Sequence, residues 1–232
     1  PRPEMMLATP HRPLRAMAAF EWIPALAGGV SALIGVLVLV GWSRGIDGLK
    51  TIVPGLIPTI PNTAVAFILG GLAVISASRE RDDERFVPIT RVLAVALTAL
   101  GLLFFIEWVA STDFGVDLLL FGDAVRAVDW KPAGRPAINS ALVMALDGAA
   151  LLAIDARTLR GRRPAELLAG LAVFVAFAAI IGYMYGVRGL YSFGPQGGMA
   201  LLTAIVLCVL SFGVLFVHPD EGVASLVAAA DP

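Results

Sequence analysis

Apolar positions in this chain come in long blocks. Six of them, Phe20 to Trp42, Asn62 to Ala77, Val92 to Ala110, Ala137 to Ile154, Leu167 to Tyr185 and Met199 to Val217, are divided by polar or Gly- and Pro-rich connections. A hydrocarbon core of about 30 Å needs about 20 helical residues, so the blocks predict six transmembrane helices. The second and fourth blocks are short. Pro61 and Pro136 stand just before them, and proline suits the first turn of a helix, so both helices are expected to begin a turn earlier. No block alternates with period two, which excludes a membrane barrel.

The connections repeat. Gly45-Ile46-Asp47-Gly48-Leu49, Gly115-Val116-Asp117-Leu118-Leu119 and Gly186-Val187-Arg188-Gly189-Leu190 stand 70 and 71 residues apart, each between two apolar blocks. Asn62-Thr63-Ala64, Asn139-Ser140-Ala141 and Leu202-Thr203-Ala204 then open the second block of each unit. Such a period points to one folding unit used three times. The predicted fold is all-α and membrane-integral, with three tandem helical hairpins spanning about 20–78, 91–155 and 166–217. Residues 1–19 precede the 20–217 membrane domain, and 218–232 form an exit segment.

Composition agrees, with 58% hydrophobic and 15% charged residues, far from a soluble balance. Charge sets the orientation. The N-terminus and the second and fourth connections hold 11 of the 17 basic residues, and the other side holds Arg44, Lys50, Arg126, Lys131, Arg135 and Arg188. Basic residues mark the cytoplasmic side, so both termini are expected there, in a bacterial inner membrane. The first block is 23 residues long and no small-residue cleavage pattern follows it, so it is expected to stay as an anchor. The charge-dense runs Arg79 to Arg85 and Arg157 to Arg163 read as topology determinants that meet anionic headgroups. Nothing points to nucleic acid.

Catalytic patterns are missing. Cys208 is the single cysteine, and the two histidines, His11 and His218, lie outside the apolar blocks. An intramolecular disulfide, a CxxC metal site and a bis-His haem within the bilayer are therefore excluded. There is no phosphate loop, HExxH or GxSxG, and the six methionines show no clustered spacing for copper. No cofactor, metal or catalytic residue is expected in this chain.

What remains is a few polar groups at membrane depth, each by default a functional candidate. Asp147 lies in the fourth block eight residues past Asn139, about 12 Å along a helix and so near the midplane. It reads either as a helix-joining group bonded to a hydroxyl such as Thr98 or Ser211, or as part of sensing. Glu107, beside Trp108 at the end of the third block, is expected to snorkel to the interface. Asn62, Thr63, Asn139, Ser140 and Thr203 are predicted helix caps. Trp42, Trp108, Trp130 and Tyr183 are predicted interface anchors. In the middle long loop, Asp117 to Phe121 is expected to form a short interfacial helix. Asp47, Asp117 and Arg188 occupy equivalent places in the three repeats, so Arg188 is expected within salt-bridge reach of an aspartate. The alternative is three independent turn residues.

Four stretches carry a resemblance: Val53 to Ala64 (VPGLIPTIPNTA), Gly115 to Phe121 (GVDLLLF), Gly134 to Ala141 (GRPAINSA) and Gly182 to Tyr191 (GYMYGVRGLY). Together they resemble the N-terminal multi-helix membrane sensor region of bacterial PAS-containing sensor histidine kinases, and less often diguanylate cyclases, over about Phe20 to Pro232. His218-Pro219-Asp220-Glu221-Gly222-Val223 resembles that family's cytoplasmic exit. This sequence departs from it at Asp147, where an apolar residue is usual, and at Leu202, where a polar one is. The resemblance implies a sensor that relays a signal from outside or within the bilayer to a cytoplasmic kinase. Its partners would be the lipid bilayer and a cytoplasmic signalling module, with a homodimer through the membrane domain left open. The chain opens at Pro1 and ends at Asp231-Pro232, and is expected to be a piece of a longer protein that carries any kinase activity. A small secondary transporter or channel, or an accessory subunit packed through faces such as Gly28-Gly29 with Gly35, Gly70-Gly71 and Gly148-Ala149-Ala150, are the other readings.

Overall fold

The computed structural model describes residues 21–128, 131–157, 163–193 and 197–218. The predicted N-terminal segment, Trp130 and all of the exit segment except His218 lie outside these residues. Among the described residues the regular structure is helical throughout. The elements are α1 (Trp22–Arg44), a 3-10 turn (Asp47–Leu49), α2 (Pro61–Arg79), α3 (Phe86–Val109), α4 (Gly122–Arg126), α5 (Ile138–Leu152), α6 (Pro164–Tyr185), α7 (Arg188–Tyr191) and α8 (Leu201–Leu215). Helices α1, α2, α3 and α6 are long and apolar enough to cross a membrane, while α5 and α8 are apolar but 15 residues each. Fifteen residues rise only about 22 Å.

Helix starts follow the backbone chemistry more closely than the apolar blocks do. Pro61 is the first residue of α2, so this helix starts one residue before its apolar block rather than a turn before it. Helix α5 begins at Ile138, after Pro136 rather than before it, because Ala137 is extended (φ −59°, ψ 149°). Helix α3 begins at Phe86, six residues before Val92, with Pro88 in its first turn, where a missing N–H breaks no helical bond. The interfacial helix predicted over Asp117 to Phe121 is absent. Phe121 is left-handed (φ 54°), so the short helix starts only at Gly122.

The bundle has a centre and a rim. Helices α2, α5 and α8 pack on one another, and α1, α3 and α6 lie outside them. Each outer helix touches two central ones: α1 lies against α2 and α8, α3 against α5 and α2, and α6 against α8 and α5. Burial matches that order. In α2 67% of the apolar window is buried, against 33% in α1 and 28% in each of α3 and α6. Leu33, Val92, Phe174 and Phe177 are among the exposed apolar side chains of the rim.

Small residues allow the close approaches. A Cβ on Gly28 would lie 2.5 Å from the Gly71 carbonyl oxygen, and one on Gly35 would lie 2.6 Å from that of Ala64. A Cβ on Gly101 would run into the Ala145 backbone, and one on Gly148 into Thr98. The small-residue stripes thus serve packing within the chain, except at Gly29, which faces open space. On the central axis Gly70 makes room for Leu210, whose Cδ2 stands 2.6 Å from where a Cβ would be.

Candidate functional site

The described parts of the long connections 45–60, 110–137 and 186–200 gather at one end of the bundle, where equivalent residues make equivalent bonds. Trp42 Nε1 donates to the Thr59 carbonyl at 2.8 Å, Trp108 Nε1 to that of Pro136 at 2.7 Å, and the Tyr183 hydroxyl to that of Met199 at 2.8 Å. Each acceptor stands three residues before Asn62, Asn139 or Leu202. Glycine closes α1 and α6 alike, since Gly45 and Gly186 both have φ 67° and are left-handed, a conformation that costs glycine nothing. The loops then fold in parallel. Thr59 N–H reaches Lys50 O at 2.8 Å, and Met199 N–H reaches Tyr191 O at 2.7 Å.

These bonds give the predicted anchor residues a role within the protein. The Trp42 ring is 4% exposed and lies under Lys50, whose Nζ is 4.5 Å from the ring centroid. Trp108 and Tyr183 are half-buried, and Tyr183 stacks on Tyr191 at 4.1 Å. All three rings lock a loop to the helix that enters it. Trp130 lies outside the described residues.

The predicted caps also do something else. The N-cap residues of α2, α5 and α8 are Ile60, Ala137 and Ala200, whose side chains cannot cap. Asn62 instead donates to two carbonyls of the next long loop, Asp117 O at 3.0 Å and Gly134 O at 3.1 Å. Asn139 donates to Tyr191 O at 3.2 Å while its Oδ1 also accepts the first-turn Ser140 N–H at 3.1 Å, as a capping side chain does, and Thr203 Oγ1 lies 3.1 Å from Thr59 Oγ1. Each central helix therefore grips the long loop of another hairpin, and the three grips close a ring. Thr63 and Ser140, each 2% exposed, form no side-chain hydrogen bond among the described residues.

The densest charge cluster lies beside this ring. Arg135 Nε is 2.9 Å from Asp117 Oδ2 and 3.4 Å from Glu107 Oε2, and its Nη2 is 4.0 Å from Asp113 Oδ1. The guanidinium also lies 5.8 Å from the Trp108 ring centroid. Glu107 is fully buried and accepts the Phe114 N–H at 2.8 Å through Oε1. It does not snorkel to an interface, because Arg135 and the turn after α3 enclose it. Glu107 Oε2 and Asp117 Oδ1 are buried without a hydrogen-bond partner. Burial, which outweighs the Arg135 charge, pushes the Asp117 carboxyl up to about 6. The carboxylates of Glu107, Asp113 and Asp117 come within 4.8 Å of one another, with Arg135 already among them.

The expected Asp47, Asp117 and Arg188 cluster does not form. Asp47 is exposed and pairs locally with Lys50 at 2.6 Å. Arg188 is exposed and forms no ion pair among the described residues. The cation beside Asp117 is Arg135, which sequence reasoning passed over. An arginine wedged between Gly134 and Pro136 at the start of a helix, on the side poor in basic residues, was the signal that could have found it.

Asp147 is fully buried in α5 and meets Ser211 of α8, Oδ2 to Oγ, at 2.9 Å. Thr98, the other candidate, bonds the Ala94 carbonyl of its own helix at 2.7 Å. At the opposite end of the bundle His218, just past α8, lies 2.8 Å from Arg81 Nη2 through Nδ1 and 3.5 Å from Asp155 through Nε2.

No family model, no curated protein and no solved structure matches this chain.

Proposed function

We propose that the chain is the membrane-embedded input module of a signalling protein, with six spans arranged as three repeated hairpins and both termini cytoplasmic. The long-loop end then faces outward and the short, arginine-rich connections face inward, in line with the positive-inside bias. A bacterial inner membrane is the setting this implies. Helices α5 and α8, being short, would be completed by their flanking residues and by local thinning of the bilayer.

The observation that carries the reading is Asn62. It sits in the first turn of a central helix and holds the loop segment whose charge is fixed by Arg135, Glu107 and Asp117. A proton or ligand that reorganises that cluster acts directly on α2. At the far end the exit from α8 is held through His218 against Arg81 and Asp155, so a shift among central helices reaches the segment leading to an output domain. A signal moves such an equilibrium only by its differential affinity for the two packings.

A transporter or channel is less well supported, because Leu210 packs into the space at Gly70 and Asp147 is closed off with Ser211. The accessory-subunit reading loses its small-residue face to packing within the chain. The test uses the full coding sequence expressed in its source membranes, with phosphoryl transfer to protein followed in vesicles. Labelled phosphate on the full-length product or a partner, altered severalfold by Asp117→Asn, is expected. An unaltered level, or solute counterflow in proteoliposomes without phosphoryl transfer, would replace this reading with another.

A further inference from the structure

The first turns of α2, α5 and α8 converge at the long-loop end around a small pocket, lined among others by Ile60, Thr63, Ala137, Ser140, Ala200 and Thr203. These are the N-cap and the third residue of each of the three helices. Its empty space is about 200 Å³ including the part open to solvent.

Three features set its preference. A helix N-terminus carries roughly half a positive charge and leaves its first N–H groups without helical partners, and three such ends meet here. No acidic residue stands in the first turn of α2, α5 or α8, and no N-cap side chain bonds the helix. The pocket is lined by no charged side chain at all. The positive ends are therefore uncompensated by protein. The independent sign of a ligand is in the hydroxyls. Thr63 and Ser140 are each 98% buried, line the pocket and have no side-chain partner among the described residues, although buried hydroxyls are ordinarily satisfied. Thr203 is 2% exposed and shares its hydroxyl with Thr59.

We propose that this pocket binds a small monovalent anion of the halide class, chloride in the first instance. Convergent hydroxyls and helix N-termini replace the hydration shell without a full positive charge. A multiply charged oxyanion is disfavoured because no Lys or Arg lines the pocket. A cation is disfavoured by the three positive ends. Water could satisfy the hydroxyls but would leave the convergent dipoles uncompensated. This inference rests on the pocket alone, so it stands or falls separately from the signalling reading.

The experiment uses purified chain in detergent, with sodium chloride exchanged for sodium gluconate at constant ionic strength. The melting temperature is expected to rise with chloride by a few degrees and to saturate, and labelled chloride should bind at one site per chain in equilibrium dialysis. Bromide should act like chloride. Ser140→Asp, which supplies a carboxylate of its own, should melt as high in gluconate as the parent does in chloride and should bind no labelled ion. Thr63→Val, a milder change, should weaken chloride binding severalfold, which keeps the idea testable if the aspartate variant does not fold. Absence of saturable chloride binding by the parent overturns the proposal. So does a shift produced by phosphate or by phosphatidylglycerol but not by halides, since that would make the site one for phosphate oxygens.

Discussion

Asp147 of α5 and Ser211 of α8 meet side chain to side chain across the bundle centre at 2.9 Å, and the same serine oxygen lies 2.8 Å from the Leu207 carbonyl of its own helix. A serine hydroxyl has one proton and cannot donate to both. An arrangement in which Asp147 donates to Ser211 and Ser211 donates to Leu207 satisfies every contact but Asp147 Oδ1, which has no partner.

That chain of bonds predicts the variants. Asp147→Asn brings an N–H donor to the same place and should leave thermal stability in detergent nearly unchanged. Asp147→Leu removes the donor and enlarges a packed position, and should cost on the order of 1 kcal/mol, as interhelical hydrogen bonds in membranes do. Ser211→Ala should cost a similar amount. Output that stays fixed across pH in Asp147→Asn, with stability intact, would show that the group also takes part in sensing. An Asn variant as unstable as the Leu variant would refute the bonding scheme.

Asp117 predicts a pH effect with a definite sign. Its folded value of about 6 lies above the ordinary value of 3.8, so the fold holds the proton more tightly than the unfolded chain does. This group favours the fold fully below about 3.8, and that contribution is lost as pH rises through about 6. The melting temperature of the parent minus that of Asp117→Asn should therefore fall between pH 4 and 6. A flat difference across that window would contradict the assignment. Arg135→Gln leaves Glu107 and Asp117 buried without their cation and is expected to cost about 3–5 kcal/mol.

Asn62 and Asn139 hold loops of other hairpins to different extents. Asn62 bonds two carbonyls and Asn139 one. A buried acceptor left without a partner costs about 1–3 kcal/mol, so Asn62→Ala should destabilise more than Asn139→Ala in equilibrium unfolding of purified protein. Asn62→Asp cannot donate and should be at least as harmful as Asn62→Ala. The reverse ranking would mean that the inter-hairpin grip does not carry the stability.

Orientation is tested by labelling. In a Cys208→Ala background, cysteines at Ser43, Asp123 and Gly189, all exposed at the long-loop end, should react with an impermeant maleimide added to intact cells. Cysteines at Asp82 and Glu84, in the short connection between α2 and α3, should react only after permeabilisation. The opposite pattern reverses the topology, and mixed labelling within one end breaks the hairpin arrangement.

The sequence by itself determined the helices and their punctuation. Apolar runs, Pro61 at a helix start, and Gly45 and Gly186 just past helix ends all act over a few residues, and the structure has each of them in place. It also offered Thr98 and Ser211 as partners for Asp147, of which the structure has Ser211 in place. The tertiary structure decided which polar groups meet. Trp42 before a loop reads the same whether it faces lipid or locks onto Thr59, and Asn139 near a helix start, which does accept the Ser140 N–H, gives no local sign that it also reaches Tyr191. Arg135 is 18 residues from Asp117 and 28 from Glu107, and Asn62 is 55 from Asp117. Such pairings depend on how the hairpins pack and where each long loop folds back. Propensity and hydropathy are local quantities, whereas the partner of a buried charge is set by whichever distant segment excludes water from it.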